Sequence, residues 1–259
     1  MRPDSLAVLG LGACGASAAW AARIAGVPRV IGWAASRADG TAALRAGAID
    51  DLADRADRAV AGAELVLVDQ APGSLDDVLR RIAKQLPAAA PVLVVSEVHA
   101  AALASAALHG LADRVAAVHP MGEALGAGFL GAAPDRLRGR LTYVSAADTD
   151  AGHRTARSAM SFVEEILGAQ PVLIDPARHD EQLAWTGQLP GAAMAVIAHL
   201  LEGRRLGGVT WGAAARLARE GMPRDVMAGA EVILANRRQV AATLDALAGE
   251  LDELRRLVE

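Results

Sequence analysis

Aromatic side chains are scarce in this chain of 259 residues, which contains two Phe, one Tyr and four Trp. Apolar residues nevertheless make up 53% of the sequence and charged residues 22%, a composition typical of compact proteins that excludes a disordered chain. The core must therefore be built mainly from Ala, Val and Leu in closely packed helices. The length allows one large α/β domain or two smaller ones, each with its own core.

Cysteine, long apolar runs and concentrated positive charge are also rare or missing. The single cysteine, Cys14, excludes an internal disulfide and fits a reducing cytoplasm. No charge-free apolar run reaches the roughly 18 residues that indicate a membrane span, and the stretch MRPDSLAVLGLG has no cleavable signal pattern. The net charge is −4, with arginines scattered among acidic residues. We therefore expect a cytoplasmic protein that binds neither membrane nor nucleic acid.

Several motifs of catalytic and metal sites are absent as well. The sequence contains no CxxC pair, no HExxH and no Gly-x-Ser-x-Gly elbow, and its six histidines are not at metal-ligand spacing. We predict no metal site and no serine hydrolase.

The first half of the chain alternates short β-branched runs with Ala-rich helical stretches, which predicts a parallel sheet covered on both faces by helices. The predicted strands are Ser5–Leu9, Arg29–Trp33, Leu65–Asp69, Val92–Ser96, Val115–Val118, Arg140–Ala146 and Gln170–Pro176. From His179 the pattern is helical, with a first break expected at Gly191. We predict an α/β domain over residues 1–176 and a helical domain over residues 177–259, which has too little core alone and packs against a partner subunit.

A glycine-rich turn follows the first predicted strand and opens a helix. The stretch LGLGACG contains Gly10-x-Gly12-x-x-Gly15, in which the first glycine permits a tight turn, the second a close approach to a pyrophosphate, and the third close helix–strand packing. The helix N-terminus then offers N–H groups to the phosphates. An ordinary tight turn is the alternative. The strand–turn–helix context favours a Rossmann-type dinucleotide site made by Gly10, Leu11, Gly12, Ala13, Cys14 and Gly15.

The end of the second strand indicates which dinucleotide is bound. NAD-binding folds place Asp or Glu there to accept a hydrogen bond from the ribose 2′-OH. This strand ends in Ala34 and Ala35, and Ser36 and Arg37 follow. A hydroxyl and a guanidinium suit a 2′-phosphate, which a carboxylate would repel. We therefore predict NADP rather than NAD, although an exposed loop arginine is the alternative reading of Arg37.

With these features placed, the chain resembles the prephenate/arogenate dehydrogenase family over nearly its whole length. The matching stretches are VLGLGACGAS, RAGAIDD, AELVLVDQAP, VHPMGEALGAG, LIDPARHDEQLA and QLPGAAMAVIAHLL, and a similar C-terminal region begins at AARLAREGMPRDVM. No single stretch is decisive, but their order and spacing together are specific. We also assign Gln70, in the third stretch, to the cofactor site.

The resemblance implies a cytoplasmic homodimer that has a Rossmann domain and interlocked helical C-terminal domains. It also implies oxidation of a cyclohexadienol ring alcohol, coupled to decarboxylation. His119, in the family's His-Pro-Met position, becomes the candidate general base, since the hydroxyl must lose its proton as the C=O group forms. Arg216 falls where the family has an arginine that grips a substrate carboxylate. A core histidine and a solvated helix arginine are the respective alternatives.

The substrate end departs from the family pattern. The family's Thr-Asp-x-x-Ser-x-Lys run reads SEVHAAA here, so Ser96 and Glu97 replace the first pair and Ala100 replaces the serine. The family's Ser-His-Leu-Pro-His run reads GQLPG, in which Gln188 and Gly191 replace both histidines. We predict that Ser96, His99, Gln188 and Arg216 line a rebuilt substrate site; a surface position for His99 is the alternative.

The leading hypothesis is an NADP-dependent oxidoreductase of the prephenate dehydrogenase type, a specialised member that acts on a modified cyclohexadienyl or related amino-acid-like substrate. Two alternatives stay open. The first is an NADPH-dependent reductase of a C=O or C=N group, with His119 as the acid. The second is a non-catalytic dinucleotide-binding protein that keeps the dimer scaffold, against which the intact His119 argues.

Overall fold

The structure is a computed structural model that describes residues 2–122, 128–202 and 226–259. The chain divides into two compact units, Met1–Pro176 and Ala177–Glu259. The first unit contains the sheet, and the described part of the second is helical.

An eight-stranded sheet forms the centre of the first unit, in the order β3-β2-β1-β4-β5-β6-β7-β8. The strands are β1 (Ser5–Leu9), β2 (Arg29–Trp33), β3 (Asp51–Leu52), β4 (Leu65–Asp69), β5 (Val92–Val95), β6 (Val115–Pro120), β7 (Leu141–Ala146) and β8 (Gln170–Leu173). The order reverses between β1 and β4, as in doubly wound sheets. The predicted fold class, a Rossmann-type sheet followed by a helical region, is confirmed.

Two strands, β7 and β8, run against the other six. β7 pairs antiparallel with β6, whereas the neighbouring pairs are parallel. A parallel connection needs a crossover, usually a helix. In its described part, the connection from β6 to β7 contains only the short 3₁₀ turn Phe129–Gly131. The chain therefore returns antiparallel at β7, whereas β1–β6, which include the strands predicted in the first half of the chain, are parallel as expected.

Helices cover both faces of the sheet. They are α1 (Ala13–Ile24), α2 (Arg37–Arg45), α3 (Ala56–Val60), α4 (Pro72–Ile82), α5 (His99–Leu108) and α6 (Asp150–Ser161), which continues as a π-helical turn over Phe162–Ile166. Alanine dominates where they meet the sheet: Ala16, Ala18, Ala19 and Ala22 of α1 are fully buried. Small side chains let helix and sheet approach closely. The buried residues are mainly Ala, Val and Leu, so the predicted composition of the core is confirmed.

The second unit contains most of α7 (Pro176–Leu183), the π-helical turn Ala184–Gln188, α8 (Leu189–Glu202), α9 (Val226–Ala235) and α10 (Arg237–Val258). The expected break at Gly191 is wrong, because α8 runs through it. No described helix combines the length and apolar character needed to cross a membrane. The last turns of α10 expose several apolar side chains, Leu251, Leu254 and Leu257.

The buried face of β5 offers a test of the packing. Leu93 is fully buried in the core of the first unit, whereas Leu130 is 97% exposed. We expect Leu93→Ala to lower the free energy of unfolding by about 2–5 kcal/mol, because it removes apolar contacts and leaves a cavity. Leu130→Ala is the matched control and should change it by less than about 0.5 kcal/mol. Denaturant titration measures both; equal effects would contradict this packing.

Candidate functional site

The functional residues predicted in the first unit lie at one edge of the sheet. The Gly10–Gly15 turn follows β1, Ser36 and Arg37 follow β2, Asp69 ends β4, Ser96 follows β5, and His119 is the second-to-last residue of β6. These five strands are parallel, so their carboxyl ends share an edge. In open α/β sheets, ligands bind outside this edge where the strand order reverses, here between β1 and β4.

Two glycines of the turn are required by packing within the protein. Gly10 has φ +107°, and an added Cβ would lie 1.9 Å from the carbonyl oxygen of Asp69. A Cβ on Gly15 would lie 2.1 Å from the carbonyl oxygen of Gly10. Gly12 differs, because its Cβ would make only an ordinary contact, 3.7 Å from Asp69 Oδ2. Packing thus explains glycine at two of the three positions, whereas a Cβ at Gly12 would meet no steric clash within the protein.

The first turn of α1 carries the features of an anion site. Gly12 is its N-cap and supplies no side-chain cap, and the first turn contains no acidic residue. Gln70 supports the turn from β4, since its Nε2 donates to the carbonyl oxygen of Leu9 at 3.2 Å. The predicted cofactor residue Gln70 therefore contacts the β1–α1 connection directly.

Asp69 is a site residue that sequence reasoning missed. Its Oδ2 accepts the backbone N–H of Gly15 at 2.7 Å. Desolvation raises the pKa of this carboxyl, and the Gly15 hydrogen bond opposes that shift. Burial also raises the pKa of the Cys14 thiol well above its usual value; the charge of Asp69 adds to this shift, while Arg140 opposes it. Cys14 is therefore a neutral thiol, which is a poor nucleophile.

Ser36 and Arg37 begin α2 at the end of β2. The Ser36 hydroxyl is the N-cap and accepts the N–H of Asp39 at 3.2 Å. Both Ser36 and Arg37 are exposed. The nearby Asp39 carboxylate accepts the N–H of Phe129 at 2.8 Å. An exposed guanidinium thus stands at a helix N-terminus beside the glycine turn, a combination that favours anions.

Two histidines meet at the ends of β5 and β6. The rings of His99 and His119 lie with their centroids 6.4 Å apart and their planes at 70°. His119 is half-buried and pairs in register with Tyr143 of β7. His99, the first residue of α5, is fully buried, so the surface alternative for His99 is wrong.

A hydrogen-bond chain fixes the tautomer of His99. Its Nδ1 lies 2.7 Å from Ser145 Oγ, and Ser145 Oγ donates to the carbonyl oxygen of Ile174 at 2.8 Å. Because the single hydroxyl proton of Ser145 goes to that carbonyl, Nδ1 of His99 must donate. A neutral His99 then carries its lone pair on Nε2. Ser145 lies on β7, a strand predicted from the sequence over Arg140–Ala146, although its antiparallel direction was not predicted.

The Ser96 hydroxyl shapes the short segment between β5 and α5. Its hydroxyl accepts the N–H of Val98 at 3.1 Å and donates to the carbonyl oxygen of the same residue at 3.0 Å. This local turn directs His99 inward at the start of α5. Desolvation raises the pKa of the adjacent Glu97. The hydroxyl of Ser96 is therefore engaged in the turn that positions His99.

The two remaining predicted substrate residues belong to the second unit of the chain. Gln188 belongs to the second unit, where it is buried and its Oε1 accepts a hydrogen bond from Asn236 Nδ2 at 2.7 Å. The same Nδ2 donates to the carbonyl oxygen of Asp180 at 2.8 Å. Gln188 Nε2 has no hydrogen-bond partner among the described residues. Arg216 lies outside the described residues.

Comparisons with solved structures identify the fold. No family model matches the sequence, and no curated protein matches it. The chain is similar to prephenate dehydrogenase from A. aeolicus in complex with hydroxyphenyl propionate and NAD⁺, with a TM-score of 0.88 and 16% identity, covering 98% of this chain and 90% of that one. It is similar to Synechocystis arogenate dehydrogenase, with a TM-score of 0.80 and 21% identity, covering 98% and 91%.

A more distant likeness is to the imine reductase from Myxococcus stipitatus in complex with NADP⁺, with a TM-score of 0.52 and 17% identity, covering 97% of this chain and 77% of that one. At these identities the likeness shows the fold. The resemblance to prephenate/arogenate dehydrogenases, expected from the sequence, is confirmed at that level.

The Ser145 hydroxyl can be tested through stability. We expect Ser145→Ala to lower the free energy of unfolding by about 1–3 kcal/mol, because it leaves the His99 Nδ1–H and the Ile174 carbonyl without their partner. Ser158 is a suitable control, since it is exposed and its hydroxyl only back-bonds within α6. Ser158→Ala should be near neutral in the same thermal and denaturant measurements. A neutral Ser145→Ala would contradict the hydrogen-bond chain.

Proposed function

We propose that this chain is an NADP-dependent oxidoreductase of the prephenate/arogenate dehydrogenase type that oxidises a cyclohexadienol-type substrate. The observation that carries the proposal is the position of the Gly10–Gly15 turn and His119 on one edge of one sheet, on either side of the strand-order reversal. A dinucleotide held by the turn would occupy the edge of the sheet on which His119 also lies. The fold likeness supports the same reaction class.

The cofactor fits the residues that are present. Gly12, the N-cap of α1, leaves the outer side of the turn open and supplies no competing cap. The backbone of Leu11, Ala13 and Cys14 completes the cradle for a diphosphate. When bound, the dinucleotide supplies the hydride acceptor. The chain's own residues then have to hold the substrate, exclude water and take up one proton.

His119 is the group that takes up the proton. As the substrate alcohol becomes a ketone, its hydroxyl proton passes to a neutral imidazole nitrogen of His119. His99 packs against this ring and its Nδ1–H is held by Ser145, so a fixed neighbour orients the base. This pair compensates for Ala100, which stands where the family has its serine. We therefore assign His99 to the support of His119 rather than to direct substrate contact.

NADP preference follows from Ser36 and Arg37. The solved neighbours contain either NAD⁺ or NADP⁺, so they do not decide the choice. The end of β2 carries alanines in place of a carboxylate, and an exposed Arg37 opens α2. A 2′-phosphate at this position gains a guanidinium and the positive end of a helix.

The substrate and the assembly form the last part of the proposal. Arg216 is the candidate for binding a carboxylate of the substrate, and Gln188 gives the helical domain a neutral amide where the family has an imidazole. The apolar side chains that α10 exposes, Leu251, Leu254 and Leu257, support a homodimer through the C-terminal helices. We place residues 1–176 as the dinucleotide-binding domain and residues 177–259 as the dimerisation and substrate domain.

A reductase is the second candidate, favoured by the fold likeness to an imine reductase. The same chemistry runs in reverse, with a protonated His119 as the acid that donates to the developing alkoxide or amine. Incubation with prephenate or arogenate and NADP⁺, followed at the NADPH absorbance, distinguishes the two. A rise in absorbance supports the dehydrogenase; NADPH loss with a C=O or C=N substrate and none of the first activity supports the reductase.

We expect His119→Asn to lower turnover by about 10²–10⁴-fold, because it removes the base but keeps a polar side chain of similar size. NADPH affinity should stay at the wild-type value, measured by quenching of protein fluorescence. His153→Asn is the control, since His153 is an exposed histidine on α6. Undiminished turnover in His119→Asn would reject this residue as the base.

We expect Arg37→Ala to weaken NADPH binding by about tenfold or more and to leave NADH binding nearly unchanged, because only NADPH carries the 2′-phosphate. Arg45→Ala is the matched control, since Arg45 is also exposed but lies in the last turn of the same helix. Calorimetric titration with both dinucleotides measures the preference. An unchanged preference in Arg37→Ala would mean that NADP selectivity does not depend on this residue.

A further inference from the structure

The carboxylate of Asp69 accepts a hydrogen bond from one of the backbone N–H groups at the start of α1. Its Oδ2 accepts the Gly15 N–H at 2.7 Å, and Gly15 is the third residue of that helix. N–H groups in a first helical turn are the donors that a bound phosphate uses. The protein therefore carries its own anion at the position where the proposed function requires an anionic ligand.

Asp69 also lies close to the path of that ligand. A Cβ built on Gly15 would lie 3.0 Å from Asp69 Oδ2, and one built on Gly12 would lie 3.7 Å from the same atom. The carboxylate thus lies beside the backbone of the turn near both of its later glycines. We place a diphosphate on the N–H groups of the same turn, so the two anions would lie close together. Like charges at short range repel each other, and more strongly where they are partly buried.

The surroundings give Asp69 little compensation. The thiol of Cys14 on α1 is neutral, and Arg140 acts on that thiol from the connection before β7. Gln70, the next residue, is uncharged and engaged with Leu9. Glu97 follows the adjacent strand β5, and His119 lies one strand further along the sheet, on β6. The raised pKa of Asp69 has burial as its largest cause, in keeping with a carboxyl that is easily protonated.

We propose that Asp69 controls dinucleotide affinity through its charge: the ionised carboxylate opposes the diphosphate, and its protonated form accommodates it. Binding of the dinucleotide therefore takes up a proton at Asp69. This inference rests on the proposed function, because it requires a diphosphate at the Gly10–Gly15 turn. It gives the site a pH-dependent affinity that the glycine motif alone does not provide.

The direction of the pH dependence follows from linkage. The bound diphosphate raises the pKa of Asp69 above its value in the free protein. Affinity is then highest at low pH, falls as the pH rises from the free towards the bound pKa, and levels off above it. A protonated Asp69 keeps one carboxyl oxygen as the acceptor for Gly15 N–H, so the turn itself is preserved.

The test compares wild type with Asp69→Asn, whose amide oxygen can still accept the Gly15 N–H. Binding of NADH and of NADPH is titrated by calorimetry across the pH range in which thermal unfolding shows both proteins folded. We expect Asp69→Asn to bind both dinucleotides about tenfold more tightly near neutral pH. Proton uptake, measured by repeating the titration in buffers of different ionisation enthalpy, should decrease in the variant.

Glu97→Gln is the matched control, because Glu97 is another carboxyl with a raised pKa that follows the neighbouring strand. It should keep the wild-type affinity and proton uptake. Asp69→Ala is a second variant that also removes the charge, and it should share the gain. Wild-type affinity and proton uptake in folded Asp69→Asn, or a gain confined to NADPH, would overturn the inference. Failure of wild type and all variants to bind either dinucleotide would overturn the proposed function as well.

Discussion

The close contact between the Gly10–Gly15 turn and the end of β4 determines the geometry of the functional edge. Side chains at Gly10 or Gly15 would collide with backbone oxygens at 1.9 and 2.1 Å, so β1, the turn and α1 can pack tightly beside Asp69 only if these positions are glycine. The contact sets where α1 begins and which of its N–H groups remain available to a ligand. Because β1 and β4 are the strands between which the order reverses, the same contact shapes the crevice at the sheet's carboxyl edge.

The arrangement of His99 and His119 depends on β7, the strand next to β6. β7 runs antiparallel to β6, which places Ser145 beneath His99 and Tyr143 beside His119. A hydroxyl that donates to the Ile174 carbonyl leaves the neutral imidazole of His99 one possible tautomer. Together these contacts give His119 a neighbour whose orientation is fixed. A general base benefits from such a neighbour because its own orientation is then determined by packing.

Much of this architecture could be read from the sequence. The bounds of β1, β2 and β4 agree with their predictions, because each apolar run begins directly after a proline or a charged residue. The two-residue β3 was missed, since so short a strand has no periodicity of its own. The reversal at β7 was missed because strand direction depends on the connection, whose described part contains no crossover helix. His119 was found through its motif, and its neighbour His99 through its position after β5.

The environment of the site could not be predicted in the same way. Nothing in the run LVLVDQ shows that Asp69 faces Gly15, because that contact exists only once β4 lies beside β1. The burial of His99 likewise depends on Ser145, 46 residues further along the chain. Such long-range contacts decide which polar groups are charged, hydrogen-bonded or available, and a single sequence does not record them.

A crystal structure of the protein with bound NADPH would test the central claim most directly. We expect the diphosphate to lie over the Gly12–Gly15 segment and the His119 imidazole to lie beside C4 of the nicotinamide, close enough for a substrate carbinol to contact both. A nicotinamide at the opposite edge of the sheet, or a His119 side chain turned away from it into the protein interior, would contradict the account.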